Sequence, residues 1–545
     1  MTQISLFDGD TPLKITKPIR LIELFAGYGS QSLALKYLKV PFEHWKICEW
    51  AVKSIQAYKD LHFGDDTCDY SKAYSADELI EVLLAKGISA DYNAPMTREQ
   101  IRRMGEQKIR TVYNNIIATN NLVSVCNAHA QDFEIQDTDK YTYIMTYSFP
   151  CQDLSKAGNG AGMAKGSGTR SGMLWEVERI LDECNGNLPQ ILLMENVPDV
   201  IGANNVKHFA QWVKKLEQLG YTSKWQCLNA KDYGVPQNRD RCFMVSWLGN
   251  HYYDFPTPIK LEKRIKDVLE TNVDEKYYLS GKILESYAES NRKNIEKGNG
   301  FRFEPIDEWG GIKSSSNKTG KQSVRQLHTG VNVSMCGKKI EKEILAVDGF
   351  NQSIRADQTC FGTITRNAGA DLKRNGQGVI EIVSRPHGSN KGGVVKSDIF
   401  PTVRKSATMD GNTGIVQPVI GAFRGRNPDN PSDRTPGMPT EQRLEINSRN
   451  LSNTLTTVQK DNVVLEPSGK QIRIRKLTPK ECGRLMGMRD DDIDKMSVNQ
   501  SNSSLYHCFG DALVTTVIGA IFCNMIDTPL SFDEMIKSLY NSPNR

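Results

Sequence analysis

An apolar, partly β-branched run, Ile19-Arg20-Leu21-Ile22-Glu23-Leu24-Phe25, stops at Ala26-Gly27-Tyr28-Gly29-Ser30, and Ser32-Leu33-Ala34-Leu35-Lys36-Tyr37-Leu38 resumes at helical spacing. The change of period predicts a strand, a glycine turn and a helix. Such a unit leaves unpaired N–H groups at the helix start, and glycines there let a ligand approach the backbone. A second strand candidate, Trp45-Lys46-Ile47-Cys48, ends in Glu49 about 20 residues further on, where a carboxylate can accept from ribose hydroxyls. The third glycine of the dinucleotide fingerprint is absent, so a nucleoside pocket and a plain tight turn both stay open.

Strand candidates recur at Leu122–Cys126, Tyr141–Tyr147, Gln190–Met194 and Cys242–Trp247, with amphipathic helices such as Met173–Leu181 and Val206–Leu219 between them. This alternation predicts an α/β domain, a parallel sheet with helices on both faces. Ala76–Lys86 and Thr97–Ile117 read as additional helices, and Met1–Lys17 as a polar tail. After Gly249 the chain turns rich in Gly, Asn, Ser, Thr and Lys with short β-branched runs, which predicts a separate strand-and-loop domain to about Gln471. Within it Asn351–Asp357, Asp398–Lys405 and Leu451–Lys460 resemble one another at intervals of about 50 residues, either as a repeated strand unit or as chance likeness among Thr/Val-rich hairpins. Thr478-Pro479-Lys480-Glu481 then reads as a helix start, and Ala512–Met525 as a last apolar helix.

Composition narrows the class. At 545 residues the chain is too long for one core, and 39% hydrophobic with 24% charged residues excludes disorder and fibres. No run approaches the roughly 18 apolar residues of a membrane span, and Met1–Arg20 lacks the layout of a signal peptide, so a cytoplasmic protein is expected. None of the twelve cysteines forms C-x-x-C, which argues against a disulfide framework or a zinc ribbon. A net charge of +5 allows a nucleic-acid partner without requiring one.

The residues with chemistry sit at strand ends. In Ser148-Phe149-Pro150-Cys151-Gln152 a thiol follows an apolar strand, where open α/β sheets bind ligands and a cysteine can act as a nucleophile. A glycine-rich stretch with Lys156, Lys165 and Arg170, Gly158 to Gly172, reads as a basic loop. Met194-Glu195-Asn196-Val197 closes the next strand with a carboxylate. Gln237-Asn238-Arg239-Asp240-Arg241 places two arginines at i and i+2, on one face of an extended segment. A thiol, a carboxylate and an arginine pair at the ends of one sheet form a candidate constellation.

These segments, in order, resemble the DNA (cytosine-5)-methyltransferase family of bacterial and phage type. The likeness rests on Phe25-Ala26-Gly27-Tyr28-Gly29, Pro150-Cys151-Gln152, Glu195-Asn196-Val197, Gln237-Asn238-Arg239-Asp240-Arg241, Arg475-Lys476-Leu477-Thr478-Pro479 with Arg484-Leu485-Met486-Gly487, and Gly510-Asp511-Ala512-Leu513-Val514. It implies a Rossmann-like S-adenosylmethionine-dependent methyltransferase core with a mostly β or irregular target-recognition domain. The expected division is a tail over 1–17, a core over 18–249 with an inserted helical element at about 65–125, a recognition domain over 250–470, and a return to the core over 471–545.

The resemblance also implies roles. Cys151 adds to cytosine C6, Glu195 holds the N3 edge, and Arg239 and Arg241 contact the base carbonyl and the acidic groups. Phe25, Gly27, Gly29, Glu49, Trp50, Asp132, Pro150, Asp511 and Ala512 fall to S-adenosylmethionine, whose product is S-adenosylhomocysteine, with Asp132 accepting from the adenine amino group. No metal is implied. The implied partner is double-stranded DNA, met by a monomer that either accompanies a restriction endonuclease or acts as a solitary or phage-borne modifier in the bacterial cytoplasm. Two departures stand out: Asp511 replaces the family's usual Asn, and the stretch between Glu49 and Asp132 is unusually long. A tRNA cytosine-5 methyltransferase and an inactive DNA-binding relative are the alternatives. The long segment between Arg241 and Arg475 and the intact set Cys151, Glu195, Arg239 and Arg241 argue against them.

Overall fold

The structure is a computed structural model that describes residues 11–154, 162–279, 346–348, 353–355, 382–384, 393–395, 419–427, 441–446, 451–456, 462–468 and 471–540. The first predicted strand is β1 (Ile19–Leu24), with every residue buried except the half-buried Arg20. It lies inside a six-stranded sheet with β2 (Phe42–Cys48), β3 (Thr142–Tyr147), β4 (Ile191–Asn196), β5 (Tyr221–Asn229) and β6 (Asp240–Leu248), in the order β2-β1-β3-β4-β6-β5. Burial on both faces explains why β1, β3 and β4 read as continuous apolar runs.

The all-parallel expectation is only partly met. β2, β1, β3 and β4 run parallel, but β6 is antiparallel to both β4 and β5. The reversal has a consequence for the site: Glu195 and Asn196 at the carboxyl end of β4 lie opposite Phe243 and Cys242, so the start of β6 arrives at the same sheet edge. The strand expected at Leu122–Cys126 is reduced to an isolated bridge between Ile47 and Asn121, and Val123 stands at φ +73°.

Alternate side chains of the central strands serve two layers. Ile22, Leu24, Tyr143, Met145, Leu192 and Met194 pack with Leu174, Val177, Ile180 and Trp212 of α6 (Leu174–Glu183) and α7 (Val206–Gln218). The intervening Glu23 faces α1 (Ser30–Tyr37) and α2 (Val52–His62). The inserted element is helical as expected, with α3 (Ala76–Lys86), α4 (Arg98–Arg103) and α5 (Glu106–Ala118). Ser75 with Glu78 and Thr97 with Gln100 form capping boxes, and Leu79, Leu83, Ile101, Ile109, Val112 and Ile116 pack on Val52 and Ile55 of α2. Truncating the fully buried Leu83 to Ala costs about 2–5 kcal/mol on this packing.

The chain divides into two compact units. One comprises Met1–Lys263, Thr454–Val458 and Pro479–Arg545, so the core extends past the expected boundary at 249 and resumes at Pro479. The cause is local packing: Ile259 N–H donates to Asp232 O (2.9 Å), and buried Tyr253 donates to Ile521 O (3.4 Å). Nor are residues 11–17 a free tail. Leu13 and Ile15 are buried, with backbone hydrogen bonds to Tyr252 O and Met525 O.

The stretch Asn502–Met525 does reach the length and hydropathy of a membrane span, against expectation, but 83% of its apolar window is buried. It forms two helices, Asn502–Asp511 and Thr515–Met525, the second starting later than the predicted Ala512.

The second unit comprises Arg264–Asn453 and Gln459–Thr478. Its described part holds β7 (Val419–Arg426), β8 (Glu441–Ile446), β9 (Val463–Ser468) and β10 (Gln471–Lys476), antiparallel in the order β8-β7-β9-β10, together with two short strand pairs. The three mutually similar segments lie largely outside the described residues.

Candidate active site

The carboxyl ends of β1 to β4 and the start of β6 surround one cavity of about 250 Å³. At roughly 30 Å³ per water that is room for a small molecule, not for a few trapped waters. Phe25, Gly27, Glu49, Trp50, Pro150, Cys151, Glu195, Arg239, Arg241, Asp511 and Ala512 all line it. Of the residues singled out from sequence, Gly29 and Asp132 are not among the lining.

At the end of β1 the chain turns through Phe25 and Gly27, both at φ +57°. Gly27 N–H donates to Glu49 Oε2 (2.9 Å), and a Cβ added at Gly27 would meet nothing within 4 Å, so the backbone there is open to a ligand. Gly29 serves packing. A Cβ on it would stand 2.5 Å from His62 Nε2 and 2.6 Å from Tyr58 Cε2. Beneath the turn, the fully buried Glu23 accepts from Ser32 Oγ (2.6 Å), Tyr58 Oη (2.6 Å) and Ser32 N–H (3.2 Å), which anchors the first turn of α1. Sequence reading gave Glu23 no role.

Glu49 also accepts from Ala51 N–H (2.7 Å). Burial, opposed by these backbone donors and reinforced by the charge of Asp511, pushes its carboxyl up to about 7. It therefore gains or loses a proton near neutrality.

The Pro150-Cys151 turn is held from both sides. Asn196 Nδ2 donates to Phe149 O (2.9 Å), and Ser171 Oγ donates to Pro150 O (2.7 Å). Asp153 accepts from Arg170 N–H (2.7 Å), tying down the far end of the glycine-rich stretch. Lys165 and Arg170 of that stretch are described; Lys156 and Gly158 lie outside the described residues. Burial raises the Cys151 thiol above its ordinary value, Arg241 counters the rise and Glu195 adds to it. Burial likewise raises Glu195, against the pull of Arg241 and Arg239. Burial thus disfavours the charged form of both the thiol and the carboxyl, and the Arg241 cation opposes that effect at each.

The two arginines part company. Arg241 Nε sits 3.0 Å from Glu195 Oε1. Arg239, fully buried, donates to Leu455 O (2.9 Å), Gly510 O (3.2 Å) and Ala512 O (2.7 Å), and burial followed by the like charge of Arg241 lowers it to about 9. Its terminal nitrogens are committed to backbone, while Nε, on a residue that lines the cavity, has no partner among the described residues.

Asp132, expected at the adenine amino group, is not among the residues that line the cavity. It sits in a short helical turn, Ala130–Phe133, where its carboxylate accepts from His129 N–H (2.8 Å). The corresponding wall of the cavity is made by Val123, Ser124 and Val125. Sequence reading also missed Tyr92 and Asn93 of the inserted element, which line the cavity from outside the sheet.

A family model described as C-5 cytosine-specific DNA methylase matches residues 101–527, starting within the inserted helices and taking in the thiol, the carboxylate and both arginines. The orphan methyltransferase M.SssI of Spiroplasma monobiae is 38% identical over 290 residues, 52% of this chain and 73% of that protein. The type II methyltransferase M2.ScrFI of Lactococcus lactis subsp. cremoris is 35% identical over 290 residues, 51% of this chain and 77% of that protein. The crystal structure of S. pombe Dnmt2 methyltransferase aligns over 93% of this chain and 97% of that one at 13% identity and a TM-score of 0.41, too loose a superposition to argue from.

Proposed function

The chain belongs to the C-5 cytosine-specific DNA methylase family, and from that premise we propose that it transfers a methyl group from S-adenosylmethionine to C5 of a cytosine flipped out of double-stranded DNA, through addition of Cys151 to C6. The observation that carries this reading is that Cys151, Glu195 and Arg241 line the same cavity as Gly27, Glu49 and Trp50.

The side built by β1 and β2 suits a nucleoside cofactor. Glu49 is a buried acceptor for ribose hydroxyls, Phe25 and Trp50 supply aromatic surface, and Gly27 leaves the backbone accessible. When bound, S-adenosylmethionine supplies an electrophilic methyl group on a sulfonium.

The chain's own residues prepare the base. Cys151 Sγ gives up its proton to solvent water and bonds to C6, which makes C5 electron-rich; one difficult substitution becomes two easier steps. Glu195 in its protonated form donates to N3 as that charge develops, and Arg241 orients the carboxyl. After methylation Glu195 recovers the N3 proton, the C5 proton passes to solvent water, and the C6–S bond breaks to restore the C5=C6 double bond and the thiolate. Extracting the base from the duplex costs a few kcal/mol, which the basic stretch around Lys165 and Arg170 helps to offset by occupying the vacated space. Sequence choice is assigned to the unit Arg264–Asn453. The curated relatives include an orphan and a type II methyltransferase, which supports a DNA-modification role.

Incubation with methyl-labelled S-adenosylmethionine and either duplex DNA or tRNA tests the reading. Label is expected in 5-methylcytosine of DNA. Label confined to tRNA, or absent from both, contradicts it.

A further inference from the structure

The inserted helices reach the cavity through one turn, residues 89–95, built to hold an aromatic ring there. Ser89 N–H donates to Trp50 O (2.7 Å) and Val52 N–H donates to Ser89 O (2.9 Å), so the turn is strapped to the residues just after Glu49. Ser89 Oγ accepts from Tyr92 N–H (3.1 Å) and donates to Ala94 O (2.8 Å), bridging the turn. Tyr92 adopts φ +64°, a conformation side chains other than glycine rarely take. Its ring lies 5.8 Å from that of His507 at an interplanar angle of 10°, and its hydroxyl lies 2.8 Å from Ser54 Oγ, itself buried in the cavity wall. The next residue, Asn93, accepts from Arg170 Nη1 (3.2 Å).

We propose that the insertion is a cofactor clamp: Tyr92 closes the cavity over the bound nucleoside of S-adenosylmethionine and sets how tightly it is retained. This rests on the reading of the Glu49 side as the cofactor site. The partners of Tyr92 place it on that side. Trp50 follows the end of β2, Ser89 is bonded to Trp50 and Val52, and Ser54 lies on α2, the helix that follows β2, whereas Cys151, Glu195 and Arg241 come from the ends of β3 and β4 and from the start of β6. A ring fixed at both its face and its hydroxyl loses little freedom when a ligand packs against it, which favours affinity. The Asn93–Arg170 hydrogen bond joins the clamp to the segment that follows Cys151.

The test compares wild type, Tyr92→Gly and Tyr92→Phe. Glycine is at home at φ +64° and keeps the turn, while phenylalanine keeps the ring and loses only the Ser54 bond. Calorimetric titration with S-adenosylhomocysteine is expected to weaken about tenfold or more for Tyr92→Gly and two- to fivefold for Tyr92→Phe. The KM for S-adenosylmethionine should rise in step, with kcat at saturating cofactor and DNA affinity within about twofold of wild type. Wild type that binds S-adenosylhomocysteine alongside a Tyr92→Gly chain that binds it equally well overturns the clamp alone. Loss of kcat or DNA affinity at unchanged cofactor affinity overturns it too. Wild type that binds no S-adenosylhomocysteine overturns the cofactor reading and the clamp with it. Should Tyr92→Gly not fold, Tyr92→Phe decides: unchanged affinity and KM refute the clamp.

Discussion

Arg241 Nε stands 3.0 Å from Glu195 Oε1 at the edge where antiparallel β6 starts beside the end of β4. The same guanidinium is the group that most lowers the Cys151 thiol against burial. Removing it disfavours the charged form of both acids, so both are pushed up. Arg241→Ala should therefore lower kcat by about 10²-fold, some 3 kcal/mol of barrier, and move the acid limb of the pH–rate profile to higher pH. A profile unchanged in position would sink this assignment.

Arg239 predicts the opposite balance. Its truncation leaves the carbonyls of Leu455, Gly510 and Ala512 without their buried donor. Arg239→Ala should cost about 3 kcal/mol of stability, read as a lower urea midpoint, whereas Arg241→Ala should change that midpoint far less. Equal midpoints for Arg239→Ala and wild type would contradict the clamp on the 510–512 segment.

Glu49 carries a pH signature. Its carboxyl is raised by burial from its ordinary 4.5 to about 7, so its contribution to stability is fully present below 4.5 and is lost as pH rises through 7. Glu49→Gln should raise the stability of the ligand-free chain at pH 8 by about 2–3 kcal/mol, with the gain vanishing near pH 4. Thermal melts across that range check it, and a gain equal at both ends would refute it. Because Asp511 adds to the rise, Asp511→Asn should move the Glu49 midpoint to lower pH in S-adenosylhomocysteine titrations.

Specificity should travel with the second unit. Replacing Arg264–Asn453 by the matching segment of a relative is expected to change the DNA sequence methylated, read by bisulfite sequencing. An unchanged target would move recognition elsewhere, the inserted helices first.

The strand ends were legible because each chemical residue follows a run whose burial on both faces leaves a continuous apolar signature: Tyr141–Tyr147 before Cys151, Gln190–Met194 before Glu195. β5 was not, because Tyr221–Asn229 mixes Lys, Gln and Ser along a half-buried edge strand, and without it the antiparallel turn of β6 stayed hidden. The i, i+2 spacing of Arg239 and Arg241 correctly put both on the cavity. It carried no sign of which one the protein interior would claim, since that depends on carbonyls at Leu455 and Gly510 far along the chain. Asp132 looked available because nothing in its neighbours signals a turn that uses the carboxylate on its own backbone. Tyr92 reaches the cavity from an insertion, where spacing to the motifs says nothing about position.

The central claim is that Cys151 forms a bond to C6 of a target cytosine. Duplex DNA carrying 5-fluorocytosine at the methylated position has no C5 proton to lose, so elimination stops and the adduct persists. Incubation with S-adenosylmethionine, denaturing electrophoresis and peptide mass mapping should find a DNA-linked protein modified at Cys151, absent in Cys151→Ala. An enzyme that methylates the unfluorinated duplex yet forms no adduct with the fluorinated one, or forms it at another residue, would contradict the account.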